Sequence, residues 1–367
     1  MDMRIIHVDK YADFLALSEI WNSTLEKCSS SNIFLTWEWL SLWWKYFSLD
    51  RELVLLLLED NEEITGIAPL MYSVNSAFGL RTKKIEFVGT GASDYNGFIV
   101  TPKGRGCIRV FLDHLTSFRS KWDCIELTDI PENAESLEAL RKASNSTKLV
   151  RDLALYECPY TPLPTSSAEL TAVLSQKLKK NLRRGMKLLE KDYEVEFDDC
   201  SRTKSLTESM NSFFELHQKR WRAKGLSGIF ADVKARSFHL DVAKSFARKN
   251  WLGLFLLRLS GTPIAAHYGF RYRSKFYLYL TGFDPRYSKY SVANLLTAHI
   301  MDDCIQRGLR EFDFLRGAEE YKTRWNALTR RNHQIVLTKN SFRASLRDSI
   351  YRTYWSNGNK LKHLLKM

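Results

Sequence analysis

A mixed α/β (α+β) fold, built as two domains that each hold a largely antiparallel sheet flanked by helices, is predicted by three observations. The chain has 367 residues, more than one hydrophobic core commonly serves. Its hydrophobic content of 44% and aromatic content of 13% belong to a packed globular protein rather than a disordered one. Two separate stretches also show the same rhythm, in which short apolar runs are broken by turn residues and joined by segments of helical spacing. There is no exact internal repeat, so the echo between the halves is architectural. The expected division is 1–158 for an N-terminal domain, 159–192 for a linker and basic helix, 193–340 for a C-terminal domain and 341–367 for a basic amphipathic tail.

In chain order, residues 4–8 read as a strand and 11–26 as a helix. TWEWLSLWWKYF (36–47) carries four tryptophans at helical spacing, with Thr36 as the expected N-cap. Residues 53–59, 64–72 and 84–88 are strand-like. GTGASDYNGFIV (89–100) is a glycine-rich turn entering a strand, 105–118 is helical, and 123–127 is a strand. The prolines and clustered Ser/Thr of YECPYTPLPTSSAEL (156–170) mark a linker or crossover. The basic helix follows, and then a strand at 193–197, helices at 207–224 and 234–248, and three strands at 251–259, 263–272 and 276–282. Residues 292–306 are helical and are closed by Gly308. Strand 310–315, helix 318–327 and strand 334–337 complete the second half.

The formal net charge is +13, which suits an anionic partner such as nucleotide phosphates, nucleic acid or an anionic membrane surface. Cys28, Cys107, Cys124, Cys158, Cys200 and Cys304 are far apart and form no CxxC, so the expectation is reduced, buried thiols. The histidines form no HExxH or HxH pair, and no metal site is expected. MDMRIIHVDK does not read as a signal peptide. The longest aliphatic runs, 53–58 and 251–257, are far below the ~20 residues of a spanning helix and read as buried strands. A cytoplasmic protein is expected, with the tail able to rest on the inner face of the membrane.

YLTGFDPRYSKYSVANLL (279–296) starts as a strand, is stopped by Asp284-Pro285, and becomes an apolar helix. Where a strand gives way to a helix, unpaired N–H groups and the helix dipole make a site for an anion, typically a pyrophosphate. Ser291 is the expected cap, while Arg286 and Lys289 add charge.

Several side chains have two readings each. Asp313, in FDFLRG, is a cleft base or acceptor-orienting group, or else a strand carboxylate paired with an arginine. Tyr321 and Trp325 share a helical face beside Lys322; they border a pocket, or they are a packed aromatic pair next to a solvated lysine. His267 is a general base or a buried, satisfied histidine. Asp94 and Tyr95 bind an acceptor or perform Asx-turn chemistry. The helix SQKLKKNLRRGMKLLEK (175–191) is a solvated face or a surface for nucleotide-sugar phosphates, lipid headgroups or tRNA. The tail is a membrane-surface segment or a docking helix. The four tryptophans read as core packing rather than a sugar platform.

The stretch 251–325 resembles the core of the GNAT acyltransferase superfamily. More narrowly it resembles the CelD/BcsL-type acetyltransferases of bacterial polysaccharide clusters, whose architecture is similar to that of the FemAB peptidyltransferases. GFDPRYSKYSVANLL, REFDFLRGAEEYKTRW (310–325) and KLKKNLRRGMKLLEK carry the likeness, and WEWLSLWW and SDYNGF extend it to the first half. The resemblance implies two GNAT-like domains, the second binding acetyl-CoA or another acyl-CoA as co-substrate without a metal. It implies a pantetheine arm between strands 276–282 and 310–315, and a pyrophosphate held by Arg286, Tyr287, Ser288, Lys289, Tyr290, Ser291, Val292 and Ala293. Asp313, Tyr321, Lys322 and His267 would be the catalytic set, and Asp94, Tyr95, Arg316 and Trp325 the substrate contacts. Where the family commonly has Tyr-Ser-Pro-Gly, this chain has Tyr290-Ser291-Val292-Ala293, which tightens the approach to a phosphate.

The function so implied is transfer of acetyl from acetyl-CoA to an amine or hydroxyl of a small-molecule or glycan-precursor acceptor in polysaccharide or cell-envelope assembly. FemAB-type transfer from aminoacyl-tRNA is the second enzyme reading, although no long inserted coiled-coil arm is visible. A non-catalytic RNA- or membrane-binding module on the same scaffold is the third.

Overall fold

The computed structural model describes residues 3–77, 80–117, 122–142 and 148–338; the expected tail, 341–367, lies outside them. The chain divides into two compact units. Of the described residues, unit 1 holds those up to Tyr156 and from Arg331 to Thr338, and unit 2 holds Glu157–Arg330.

The first half runs β1 (Met3–Val8), α1 (Tyr11–Ala16), α2 (Ser18–Glu26), α3 (Trp37–Phe47), β2 (Arg51–Asp60), β3 (Glu63–Ala77), β4 (Leu80–Phe87), β5 (Ile99–Val100), α4 (Cys107–Ser117), β6 (Cys124–Pro131) and α5 (Glu135–Lys142). It ends in β7 (Lys148–Pro162). The second half runs α6 (Ser167–Val173), α7 (Gln176–Asp192), β8 (Val195–Asp199), α8 (Leu206–Arg222), α9 (Val233–Arg248), β9 (Leu252–Leu259), β10 (Thr262–Tyr272), β11 (Lys275–Phe283), α10 (Val292–Gln306), β12 (Glu311–Asp313), α11 (Glu320–Thr323) and β13 (Leu328–Thr338). A six-residue 3-10 segment, Pro285–Tyr290, joins β11 to α10.

The mixed α/β fold class is as the sequence predicts, and the strand pairing shows the architectural echo directly. In unit 1, β1, β2, β3 and β4 form an antiparallel meander. β4 then meets β6 in parallel through Lys84↔Cys124 and Ile85↔Ile125, and β6 pairs antiparallel with β13. In unit 2, β8, β9, β10 and β11 form the same meander. β11 meets β12 in parallel, and β12 pairs antiparallel with the end of β7.

Alternation along each strand decides which face is dry. In unit 1, Ile85, Phe87, Ile125, Leu127, Ile335 and Leu337 share a core with Phe111 and Leu115 of α4 and Leu137 of α5. Their neighbours, Lys84, Glu126 and Gln334, form a buried polar set in which Lys84 pairs with Glu126 and Gln334 donates to Glu126. In unit 2 one layer joins Phe255, Leu257, Phe276 and Leu278 of the sheet to Leu178 and Leu189 of α7 and Leu296 and Ile300 of α10. A separate aromatic group joins Phe213 and His217 of α8, His239 of α9, Phe230 and Tyr268.

Thr36 caps α3 as expected, its hydroxyl accepting the Trp39 N–H. Trp39, Trp43 and Trp44 are packed inside unit 1. All six cysteines are buried thiols, and none is in a disulfide. The stretch 156–170, expected as linker or crossover, carries the end of β7 and the start of α6.

Candidate active site

The site is built from the bottom of unit 2 upward, beginning with one interrupted pairing. β11 and β12 run in parallel over three residues only: Lys275↔Glu311, Phe276↔Phe312 and Tyr277↔Asp313. β11 continues to Phe283, while β12 ends at Asp313 and the chain bends through Leu315 and Gly317, both with positive φ. Among the described residues, one edge of β11 is therefore left without a neighbouring strand beyond Tyr277, and it leads into the turn and the start of α10.

Asp284 organises that turn. Its carboxylate accepts the Arg286 N–H at 3.1 Å, the Arg286 guanidinium at 3.0 and 2.7 Å, and the Lys219 ammonium at 3.4 Å. The Arg286 contacts hold its carboxyl down at about 2. Sequence reading saw Asp284 only as a strand breaker and Arg286 as a phosphate holder; the structure folds Arg286 back onto Asp284. Lys289 is exposed, with its ammonium 4.9 Å from the Tyr290 ring centre. Tyr287 and Tyr290 pack against the unit 2 core, and Tyr287 also meets Tyr193.

The expected cap at Ser291 needs correcting. Ser291 sits in the left-handed region (φ 58°) and its side chain makes no capping bond. A capping hydroxyl needs an extended residue to reach the amide two or three positions on. The first turn of α10 is thus left without a side-chain cap, and a helix's first N–H groups have no partner within the helix. Ala293 is half-buried and Val292 is buried.

His267 is wholly buried on β10. Its Nε2 lies 2.9 Å from Thr297 Oγ1 and 3.1 Å from the Ala293 carbonyl, and its Nδ1 lies 3.0 Å from the Ala266 carbonyl. Burial pushes its imidazole down to about 4, so it stays neutral and ties β10 to the first turn of α10. Asp313 is also fully buried; Leu315 N–H donates to it at 2.8 Å and Arg330 lies 3.4 Å away. Proton transfer at Asp313 would require that contact to open.

The loop after β12 is held by Lys322. Its ammonium is buried and donates to the carbonyls of Leu315, Arg316 and Gly317 at 3.2, 2.9 and 3.0 Å, and it pairs with Glu319 at 2.8 Å. The sequence offered a catalytic or a solvated lysine; the structure shows its ammonium tethering the loop. Trp325 is wholly buried in the unit 2 core, which also holds Phe314 and against which Tyr321 packs. Burial raises the Tyr321 phenol well above its ordinary value, with Glu319 acting in the same direction and Arg220 against it.

Arg220 of α8 was not found by sequence reading. Its guanidinium donates to the Thr281 carbonyl at 3.2 Å and to the Thr281 hydroxyl, and it lies 5.5 Å from the Phe283 ring centre. It thus takes up part of β11 beyond the last β12 pairing. No motif marks it; HQKRWRAKG reads as the charged end of a helix. Arg220, Thr281, Glu319, Tyr321 and Lys322 therefore gather near the open β11 edge. Asp94 and Tyr95 belong to unit 1 and are buried there. Asn332 donates to the Asp94 carbonyl at 2.6 Å, and the Tyr95 ring lies 6.2 Å from Phe34.

Residues 176–323 match the family model described as Acetyltransferase (GNAT) domain. A sequence comparison with curated proteins finds no match. Among solved structures, the crystal structure of FemX is similar at TM-score 0.64 and 11% identity, over 90% of this chain and 96% of that one. The C-terminal domain (DUF2156) of a putative lysylphosphatidylglycerol synthetase from Agrobacterium fabrum is similar at TM-score 0.54 and 13% identity, over 92% and 95%. L-PGS from Bacillus licheniformis is similar at TM-score 0.53 and 11% identity, over 89% and 94%. The chain therefore has a GNAT-domain acetyltransferase fold with FemX-like structural neighbours; at these identities the likeness concerns the fold. Among the described residues, no helix is long and apolar enough to cross a membrane.

Proposed function

We propose that this protein is a cytoplasmic acyltransferase that moves an acyl group, acetyl in the first instance, from acyl-CoA to an amine or hydroxyl. The acceptor we propose is a polysaccharide or cell-envelope intermediate, on the strength of the CelD/BcsL-like motifs in 251–325. The observation that carries the reading is the parting of β11 from β12 after three pairs, in line with an α10 start that lacks a side-chain cap.

Acyl-CoA, when bound, supplies a thioester carbon open to nucleophilic attack. The unpaired edge of β11 fits an extended arm, and Ser288 to Ala293, with exposed Lys289, fit a diphosphate. Tyr321 keeps its proton across the physiological range because burial raises it. With Arg220 it forms a donor pair suited to charge developing on an oxygen. Glu319 and Lys322 hold the loop that carries Tyr321, and Arg316 stands in the same loop.

Thermal melts test this. A donor present at about 100 times its Kd stabilises the native state by about 2.7 kcal/mol, which reads as a higher Tm. Acetyl-CoA or a longer acyl-CoA is expected to produce that shift. Failure of every acyl-CoA to do so removes the reading. A second reading, aminoacyl transfer from tRNA, is favoured by Arg220, which takes the Thr281 carbonyl that an amide-bearing arm would use. Protection by tRNA where acyl-CoA gives none would select it.

A further inference from the structure

We propose that the outward face of α7 is a docking strip for the anionic surface of a lipid bilayer. At about 100° per residue, Lys177, Lys180, Arg183, Arg184, Lys187 and Lys191 fall within an arc of about 120°, spread over about 21 Å of helix. All six are exposed. Among the described residues none makes an ion pair or a side-chain hydrogen bond, although Lys177 adds to the lowering of Glu320 that Arg324 chiefly causes. Glu190 is the one acid between them in sequence, and it falls at the margin of the arc. Lys179 is set apart, its ammonium donating to the Ala172 carbonyl at 3.0 Å.

The strip is rigidly mounted. Leu178, Gly185 and Leu189 are buried on the opposite side, and Gly185 lies against the Tyr290 carbonyl, so the helix cannot roll its charges inward. Six unpaired cations at this spacing repel one another, and an anionic surface relieves that repulsion.

The margin of the strip favours a bilayer over nucleic acid. No aromatic ring stands among the six cations, so a stacked base has no platform. A large apolar side chain is exposed at the margin of the arc instead, Leu188 at 38%. Cations on the polar face bordered by exposed apolar side chains are what an interfacial helix presents to headgroups and the acyl boundary. The face is separate from the turn residues assigned to a donor, and its assignment does not depend on the acyltransferase reading.

The full chain is sedimented with vesicles of phosphatidylcholine alone and with vesicles in which about a third of the lipid is phosphatidylserine. Binding is expected only to the anionic vesicles and is expected to fade as salt rises from about 0.1 to about 0.5 M. The triple variant Lys180→Glu/Arg184→Glu/Lys187→Glu is expected to melt like the parent and to lose about a hundredfold or more in partitioning. Reversing Arg343, Arg347 and Arg352 in the tail is expected to leave most of the binding in place. The proposal is overturned if the parent ignores anionic vesicles, if the α7 variant partitions like the parent, or if short duplex RNA binds the strip while vesicles do not.

Discussion

Gly185 of α7 stands directly against the backbone carbonyl of Tyr290, so that a Cβ at position 185 would overlap the oxygen. This contact fixes a basic helix to the turn that introduces α10. Exchange of a mid-helix glycine for alanine ordinarily stabilises by up to about 1 kcal/mol. Overpacking against backbone costs about 1–3 kcal/mol, so the clash should win. Gly185→Ala is expected to lower the urea midpoint and to weaken donor binding together, as read by melts with and without acyl-CoA.

Arg220 is the sharpest test of the site. Arg220→Ala and Arg220→Lys are expected to fold, because the side chain is partly exposed and serves only the end of β11, at Thr281 and the Phe283 ring, among the contacts described above. Loss of one preorganised donor at a reacting centre costs about 10²–10³ in rate. Lysine keeps the charge and loses the paired geometry, so most of the loss should persist in Arg220→Lys. Turnover measured beside CD spectra decides it.

Lys322→Met separates tethering from chemistry. The substitution leaves three carbonyls without their donor and the part-exposed Glu319 without its ammonium, and a buried polar group left unpaired costs about 1–3 kcal/mol. A large fall in the denaturant midpoint is expected. Parental stability with abolished turnover would make Lys322 a reacting group instead.

The legible part of the molecule was local. Asp284-Pro285 after an alternating run marks where β11 stops, and helical spacing from Val292 marks α10. The parting of β11 from β12 was anticipated only through family resemblance, because register is set by partners distant in sequence. β7 escaped notice since its prolines and threonines resemble a linker, yet its end pairs with β12. Arg220 and Lys322 were illegible for a shared reason. A basic side chain reads as solvated until the carbonyls it serves are located in space.

Acid should weaken unit 2 from an early point. Burial pushes His217 and His239 down to about 3 and His267 to about 4. Each is neutral when folded and takes a proton near pH 6.5 when unfolded. Their stabilising contribution is complete above about 6.5 and is lost as pH falls toward 4. Three such groups give a slope of up to about 4 kcal/mol per pH unit within that window. Urea midpoints between pH 7 and 4.5 test this, and His267→Asn should flatten the curve by about a third.

Asp284 adds a later step. Its carboxyl is depressed to about 2, so the stability it contributes is present above about 4 and is lost between 4 and 2. The Arg286 partner is largely exposed, which limits the effect to about 1 kcal/mol. Asp284→Asn should remove that step.

The crossing of the chain has a consequence for biosynthesis. β6 obtains its β13 neighbour from residues beyond position 330, whereas among the described residues unit 2 is one uninterrupted segment. A nascent polypeptide emerging from the ribosome can finish its second unit before the first has received its closing strand. A truncation just short of β13 would leave β6 with an open, aggregation-prone margin.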